Sequence, residues 1–252
     1  MARVNDFYSF LDEICPFSLQ EKWDNSGMLI GDEKKEVTRA AVVLDITKEV
    51  VEYACQVGVD LIISHHPVIF KAQRTFLKGS VAFALAENGI SAISTHTCLD
   101  SAVGGVNDVL AEILEIENTE IFPCEESADL VRVGVLPYPM SCDELAHKLK
   151  EELGGNIRYC DNGKTIESVA LCGGSGCSFN DDIIKAGIDA YITGDAGHHD
   201  FLDCKENGLA LFAAGHFETE NPVVASLANR LRCQFPDIDI IIIPQKSPIK
   251  NI

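Results

Sequence analysis

The sequence predicts an α/β fold built twice over. Three observations carry that prediction: apolar runs of strand length alternate with amphipathic stretches, several of those runs end abruptly in histidine or carboxylate, and the order of runs recurs in the second half of the 252 residues. Strands buried on both faces of a parallel sheet read as continuous apolar runs, and the helices that connect them read with helical periodicity.

Residues 5–20 place Phe7, Phe10, Leu11 and Ile14 at helical spacing with Pro16 as a stop, so an amphipathic first helix is expected. Trp23-Asp24-Asn25-Ser26-Gly27 breaks into a loop; Trp23 reads as a core or loop anchor rather than a substrate platform, and Asn25 as a polar contact. Ala40 to Asp45 reads as a strand, 47–57 as a helix and Asp60 to Pro67 as a second strand. A helix over 80–88 precedes a third strand that leads to His96. Crossover helices between strands make the sheet mostly parallel.

The second half repeats this order. Gly58-Val59-Asp60-Leu61-Ile62-Ile63-Ser64 matches Gly187-Ile188-Asp189-Ala190-Tyr191-Ile192-Thr193, and Val37 to Val43 matches Ile166 to Cys172 at the same offset of 129 residues. Asn88-Gly89-Ile90 matches Asn207-Gly208-Leu209 at 119, so one linking loop differs by ten residues. We read this as an internal duplication of two similar α/β domains. Glu115 to Ser127 is acidic and loop-like, which sets a boundary near residue 125, with 1–124 as the first domain and 125–221 as the second. Asn221 is expected as the N-cap and Pro222 as the first residue of a helix to Cys233. Asp237 to Pro244 is a strand that can complete either sheet; we group 222–252 with the first domain.

Bulk properties exclude several classes. A net charge of −19 repels phosphate backbones, so no nucleic acid is expected as a partner. No uncharged apolar run reaches the roughly 18 residues needed to span a bilayer, so no membrane is expected. The start of the chain lacks the apolar core of a secretory signal, which points to the cytoplasm. Ten scattered cysteines then read as free thiols; Cys172 and Cys177, five apart, do not have zinc-knuckle spacing.

The chemistry gathers where three apolar runs end. The first ends in His65-His66-Pro67, the second in His96 with Asp100 four residues on, and the third in His216 with Glu218 and Glu220. Ligands of open α/β sheets bind at the carboxyl ends of strands, so these imidazoles and carboxylates form a candidate metal site. Consecutive strand residues point to opposite faces, so His65 and His66 are expected to serve two neighbouring ions rather than chelate one. A bridging carboxylate is expected among the acidic residues after His216. Imidazole and carboxylate without thiolate suit zinc, iron or manganese. A pair of such ions lowers the pKa of a shared water toward neutrality, which is hydrolytic machinery. His198-His199 read either as substrate contacts or ligand supports, or equally as structural residues, and His147 as solvent-facing. Leu171 to Gly176, a glycine-rich turn between strand and helix, reads either as a phosphate cradle or as a tight turn without ligand.

The motifs Trp23-Asp24-Asn25-Ser26-Gly27, Ser64-His65-His66-Pro67, Thr95-His96-Thr97 to Asp100 with Gly104-Gly105-Val106-Asn107, Thr193-Gly194-Asp195 with His198-His199, and Gly215-His216 to Glu220 resemble those of the NGG-interacting-factor-three-like family, also called the GTP cyclohydrolase I type 2 family. They span nearly the whole chain, with no large insertion between the halves. The resemblance implies two similar α/β domains facing each other across a dinuclear metal site, within a toroidal homohexamer. It implies two divalent ions per chain, held by His65, His66, Asp100, His216 and a bridging Glu220, with Glu218 outside the ligand set. The expected function is a dinuclear-metal-dependent hydrolase of a nucleotide-like substrate, of the GTP cyclohydrolase kind, with His96 assisting proton transfer. The alternative is a metal-binding regulatory or scaffold protein without turnover.

Overall fold

In the computed structural model, which describes residues 2–125, 127 and 129–250, the expected alternation becomes two mixed α/β units, each built on its own sheet. Met1–Val103 with Val224–Gln245 form one unit, and Gly104–Val223 with Lys246–Ile252 the other.

The first unit begins with α1 (Val4–Ile14), which buries Val4, Phe7 and Leu11. Next come β1 (Gly27–Ile30), β2 (Arg39–Val43), α2 (Lys48–Val57), β3 (Leu61–Ser64), α3 (Val81–Glu87), β4 (Ser91–Ser94) and the short α4 (Thr97–Ser101). Local chemistry sets the ends of α2: the Thr47 hydroxyl accepts from the Val50 amide, and Gly58 takes the left-handed cap at φ 73°. The strands β2, β3 and β4 are parallel neighbours, and β1 closes one edge antiparallel to β4. One face of this sheet, with Ala41, Val43, Ile62 and Ala92, packs against Val50, Val51, Ala54 and Leu85 of the two helices. Each fully buried Leu, Ile or Val there contributes about 1.5–3 kcal/mol.

The second unit comprises α5 (Val106–Ile113), β5 (Glu117–Phe122), β6 (Val131–Met140), α6 (Cys142–Leu153), β7 (Arg158–Cys160), β8 (Ile166–Cys172), α7 (Asn180–Ala186), β9 (Ala190–Thr193), α8 (His198–Glu206), β10 (Ala210–Ala213) and the one-turn α9 (His216–Glu220). The sheet order is β5-β6-β8-β9-β10-β7, with β8, β9 and β10 parallel and the outer strands antiparallel. Both sheets therefore hold at least three adjacent parallel strands, β2, β3 and β4 in the first and β8, β9 and β10 in the second, next to an antiparallel strand. Both also carry the same anchor. Asp60 Oδ2 accepts from the Thr38 amide and hydroxyl and the Arg39 amide, and Asp189 Oδ2 accepts from the Ser168 amide and hydroxyl and the Glu167 amide.

Several expectations move. The division falls at Val103–Gly104 rather than near residue 125, because α5 buries Leu110, Ala111 and Leu114 in the same core as Leu136, Val169, Ile192 and Phe212. The acidic stretch expected as loop holds β5, an edge strand exposed along most of its length, whose ladder to β6 needs no apolar alternation. Glu126 and Ala128, beside the expected boundary, lie outside the described residues. Asn221 has helical backbone angles and joins α9 to α10 (Pro222–Gln234) instead of capping it. The last strand, β11 (Asp239–Ile242), pairs in parallel with β2 and so joins the first sheet. All ten cysteines are free thiols. Among the described residues, no helix is long and apolar enough to cross a membrane.

Candidate metal centre

The histidine pair lies just past the strand that presents it. β3 ends at Ser64, so the alternation of a strand no longer governs His65 and His66. Their rings lie 4.8 Å apart, and one ring nitrogen each from His65, His66 and His96 falls within 4.8 Å of the others. The expectation that the pair points to opposite faces is therefore corrected: both rings turn toward His96. Hydroxyls set the turn, since Ser64 Oγ and Ser94 Oγ both donate to the His66 carbonyl at 2.8 and 3.3 Å.

Each imidazole is fixed through Nδ1. His65 Nδ1 donates to the Thr95 carbonyl at 3.2 Å, His66 Nδ1 pairs with Asp45 Oδ1 at 2.8 Å, and His96 Nδ1 pairs with Asp24 Oδ1 at 2.8 Å. A carbonyl or an ionised carboxylate can only accept, so each Nδ1 carries a proton, and in the neutral imidazole the lone pair then lies on Nε2. Histidines that bind metal show this arrangement, because the acceptor on Nδ1 fixes the tautomer and raises the basicity of Nε2. Asp24 is well suited to it. Burial alone would raise its pKa, but hydrogen bonds from His96, Thr97 and the Asn25 amide hold it well below the usual carboxylate range. Asp100, buried on α4, places Oδ1 3.7 Å from His65 Nε2.

The second unit carries its own donor pair. His216 and Glu220 lie one turn apart on α9, with His216 Nε2 3.2 Å from Glu220 Oε2, and His216 Nδ1 pairs with Asp195 Oδ2 at 2.7 Å. Burial pulls the His216 imidazole down, but its bonds to Glu220 and Asp195 outweigh this and hold it at about 9. The glycine-rich turn explains where Glu220 sits. A Cβ on Gly174 would stand 2.1 Å from Glu220 Oε1, and one on Gly173 would stand 3.4 Å from Glu220 Cγ. The turn is a cradle for a carboxylate side chain. Its amides are already used: Gly173 donates to Asn107 Oδ1, Gly174 to Thr219 Oγ1 and Gly176 to Thr193 Oγ1. Those three amides therefore offer no row of free donors to a phosphate.

The remaining candidates separate. Glu218 packs against Gly155 and Gly215, beside a cavity of about 270 Å³ that Asp195, Arg158 and Asn156 also line. His198 and His199 open α8, exposed and with rings 5.4 Å apart, and belong to no metal-capable cluster among the described residues. His147 is exposed and donates from Nδ1 to the Asp143 carbonyl. Asn25 Nδ2 donates to the Ile69 carbonyl at 2.6 Å. Trp23 is 58% exposed, so it is not core; its ring meets those of His96 and Phe70 at 5.9 Å. Sequence reading missed Asp24, Asp45 and Asp195, the acceptors that orient three of the histidines. Asp24 stands within a motif quoted above, and Asp45 ends the run after β2; spacing alone does not mark either.

A family model described as Duf34/NIF3 (NGG1p interacting factor 3) matches residues 2–248. The chain belongs to the Duf34/NIF3 family. This Duf34/NIF3 chain is 35% identical over 261 residues to a GTP cyclohydrolase 1 type 2 homolog of Clostridium perfringens, covering 99% of the chain and 100% of that relative. It is 34% identical over 239 residues to the protein of the same name in Clostridium acetobutylicum, covering 91% and 89%. The crystal structure of Staphylococcus aureus protein SA1388 matches with a TM-score of 0.90 at 28% identity, over 100% of this chain and 99% of that one. The Duf34/NIF3 fold is thus two sheets in a mixed α/β chain, and the histidine and carboxylate groups it presents are of the kind that could hold a metal.

Proposed function

We propose that this protein is a dinuclear-metal-dependent hydrolase acting on a nucleotide-like substrate, of the GTP cyclohydrolase kind. The observation that carries the reading is a repeated arrangement of four imidazoles: His65, His66, His96 and His216 each engage an acceptor through Nδ1. A histidine held only for packing has no need of that repeated arrangement. The buried carboxylates Asp100 and Glu220 beside Nε2 atoms complete a donor set that fits zinc, iron or manganese. In this reading His65, His66 and Asp100 supply the ligands of the first unit, and His216 and the bridging Glu220 those of the second, to hold two ions per chain. The two units are proposed to descend from one duplicated α/β unit, and the chain to work as a homohexamer.

Bound divalent ions supply Lewis acidity that activates water and polarises the bond to be cleaved. The residues do the rest. Asp24 accepts the Nδ1 proton of His96, so that His96 Nε2 can take up a proton and return it to the leaving group. Asp45 and Asp195 prevent His66 and His216 from turning. The names of the relatives in the two Clostridium species support GTP as the first substrate to test.

Purified protein supplied with zinc, iron or manganese and GTP is expected to release formate, and element analysis is expected to find two ions per chain. Two ions without formate would favour the metal-binding regulatory or scaffold reading. One ion would remove the bridging role of Glu220. Sedimentation in solution tests the hexamer.

A further inference from the structure

We propose that Trp23 and Phe70 form the recognition site for the planar ring of a nucleotide, with Lys71 and Arg74 receiving its phosphate. The inference rests on the proposed hydrolase only in taking His96 as the reacting end of the site.

Large aromatic side chains in a folded chain are ordinarily buried, yet Trp23 is 58% exposed and Phe70 44%. Their ring centroids lie 5.9 Å apart at 60°, and each lies 5.9 Å from the His96 ring, at 73° and 82°. The three rings make a corner with His96 at its apex. The corner is braced from behind. Asp24, next to Trp23, holds His96 Nδ1 and Thr97 Oγ1, and Asn25 Nδ2 holds the Ile69 carbonyl next to Phe70. Rigid, exposed aromatic faces are what planar bases stack on.

Charge agrees. In a chain with 39 acidic and 20 basic residues, positions 66–80 carry Lys71, Arg74 and Lys78 and no acidic residue. Lys78 pairs with Glu87, whereas Lys71 and Arg74 are exposed with no acidic partner among the described residues. A planar ring against Trp23 and Phe70 with an anionic tail toward Lys71 and Arg74 describes a nucleotide rather than a neutral base or a simple phosphate.

Trp23 is the single tryptophan of the chain, so its fluorescence reports on this corner alone. Titrations of the metal-loaded protein with guanosine and GTP are expected to give saturable quenching, and titrations with ribose 5-phosphate or inorganic phosphate are not. Phe70→Ala is expected to weaken both guanosine and GTP by about tenfold or more. The double variant Lys71→Ala with Arg74→Ala is expected to weaken GTP, by about fivefold or more at low salt, and leave guanosine unchanged. Ribose 5-phosphate quenching as guanosine does, or no saturable change with either guanosine or GTP, would overturn the proposal. Trp23→Leu, checked for folding by circular dichroism, separates this proposal from the one it rests on. Formate release at an unchanged KM would remove the aromatic corner and leave the hydrolase. Base-dependent quenching of the wild type without any formate would remove the hydrolase and leave the corner.

Discussion

His96 Nδ1 lies 2.8 Å from Asp24 Oδ1, a carboxylate 72 positions earlier in the chain. Asp24 also accepts from the Thr97 hydroxyl and amide and from Ser26 Oγ. One buried carboxylate therefore orients an imidazole and ties the Trp23–Gly27 loop to the start of α4.

Asp24→Asn offers His96 a different partner while keeping the shape of the side chain. Removing the acceptor behind a metal-facing or proton-carrying histidine typically costs about 10–100-fold in affinity or activity. Turnover with bound metal is expected to fall by about that factor while the far-ultraviolet circular dichroism is retained. Unchanged turnover would show that the pair is structural only.

Gly174→Ala tests the cradle. The added Cβ meets Glu220 Oε1 at 2.1 Å, and the backbone at φ +64° is itself unfavourable for alanine, so Glu220 must move. Bound metal is expected to drop below the wild-type stoichiometry by element analysis. Gly187→Ala, at φ +73° with nothing within 4 Å of the new Cβ, carries similar backbone strain without touching the site. It is expected to lower stability by about 1 kcal/mol and leave the metal content unchanged.

Removing ligands tests the donors of both units. His65→Ala and Glu220→Ala are both expected to lower metal content and abolish formate release, whereas His147→Ala and His198→Ala are expected to leave both unchanged. Chelation is expected to lower the midpoint of thermal unfolding, since any ligand that binds only the folded chain stabilises it. An unaffected midpoint, with the ions demonstrably removed, would contradict a built metal site.

Asp60 and Asp189 set an acid limit. For each, burial raises the pKa, but the amide and hydroxyl donors outweigh it and the folded value is lowered. A lowered folded pKa gives stability that is present above the unfolded value, about 3.9, and is lost as pH falls through the folded one. Asp60→Asn is expected to be less stable than the wild type at neutral pH, with the difference narrowing as the pH drops below about 4. Urea unfolding at a series of pH values measures it; a difference that stays constant with pH would exclude this linkage.

Phe7 is fully buried and stacks on Phe235 with centroids 4.0 Å apart, which ties α1 to the segment after α10. Phe7→Ala is expected to cost about 3–5 kcal/mol in chemical unfolding. A loss below about 1 kcal/mol would mean that the first unit does not depend on this closure.

Local patterning made much of this protein legible before any coordinates. Apolar run length and helical spacing located β3, β4, β10, α1, α2 and α3, because both signals arise from neighbours in sequence. The same runs pointed to His65, His66, His96 and His216, since residues at the carboxyl ends of strands mark where a ligand can approach. What only the tertiary structure decided depends on contacts between distant positions. The joining of β11 to the first sheet, the shift of the division to Gly104, the closing of the glycine turn around Glu220 and the choice of Asp24, Asp45 and Asp195 as acceptors all pair residues from 20 to 200 apart in the chain. A single sequence carries the donors and acceptors but not their pairing, because the chain closes those distances only when its apolar faces are buried together.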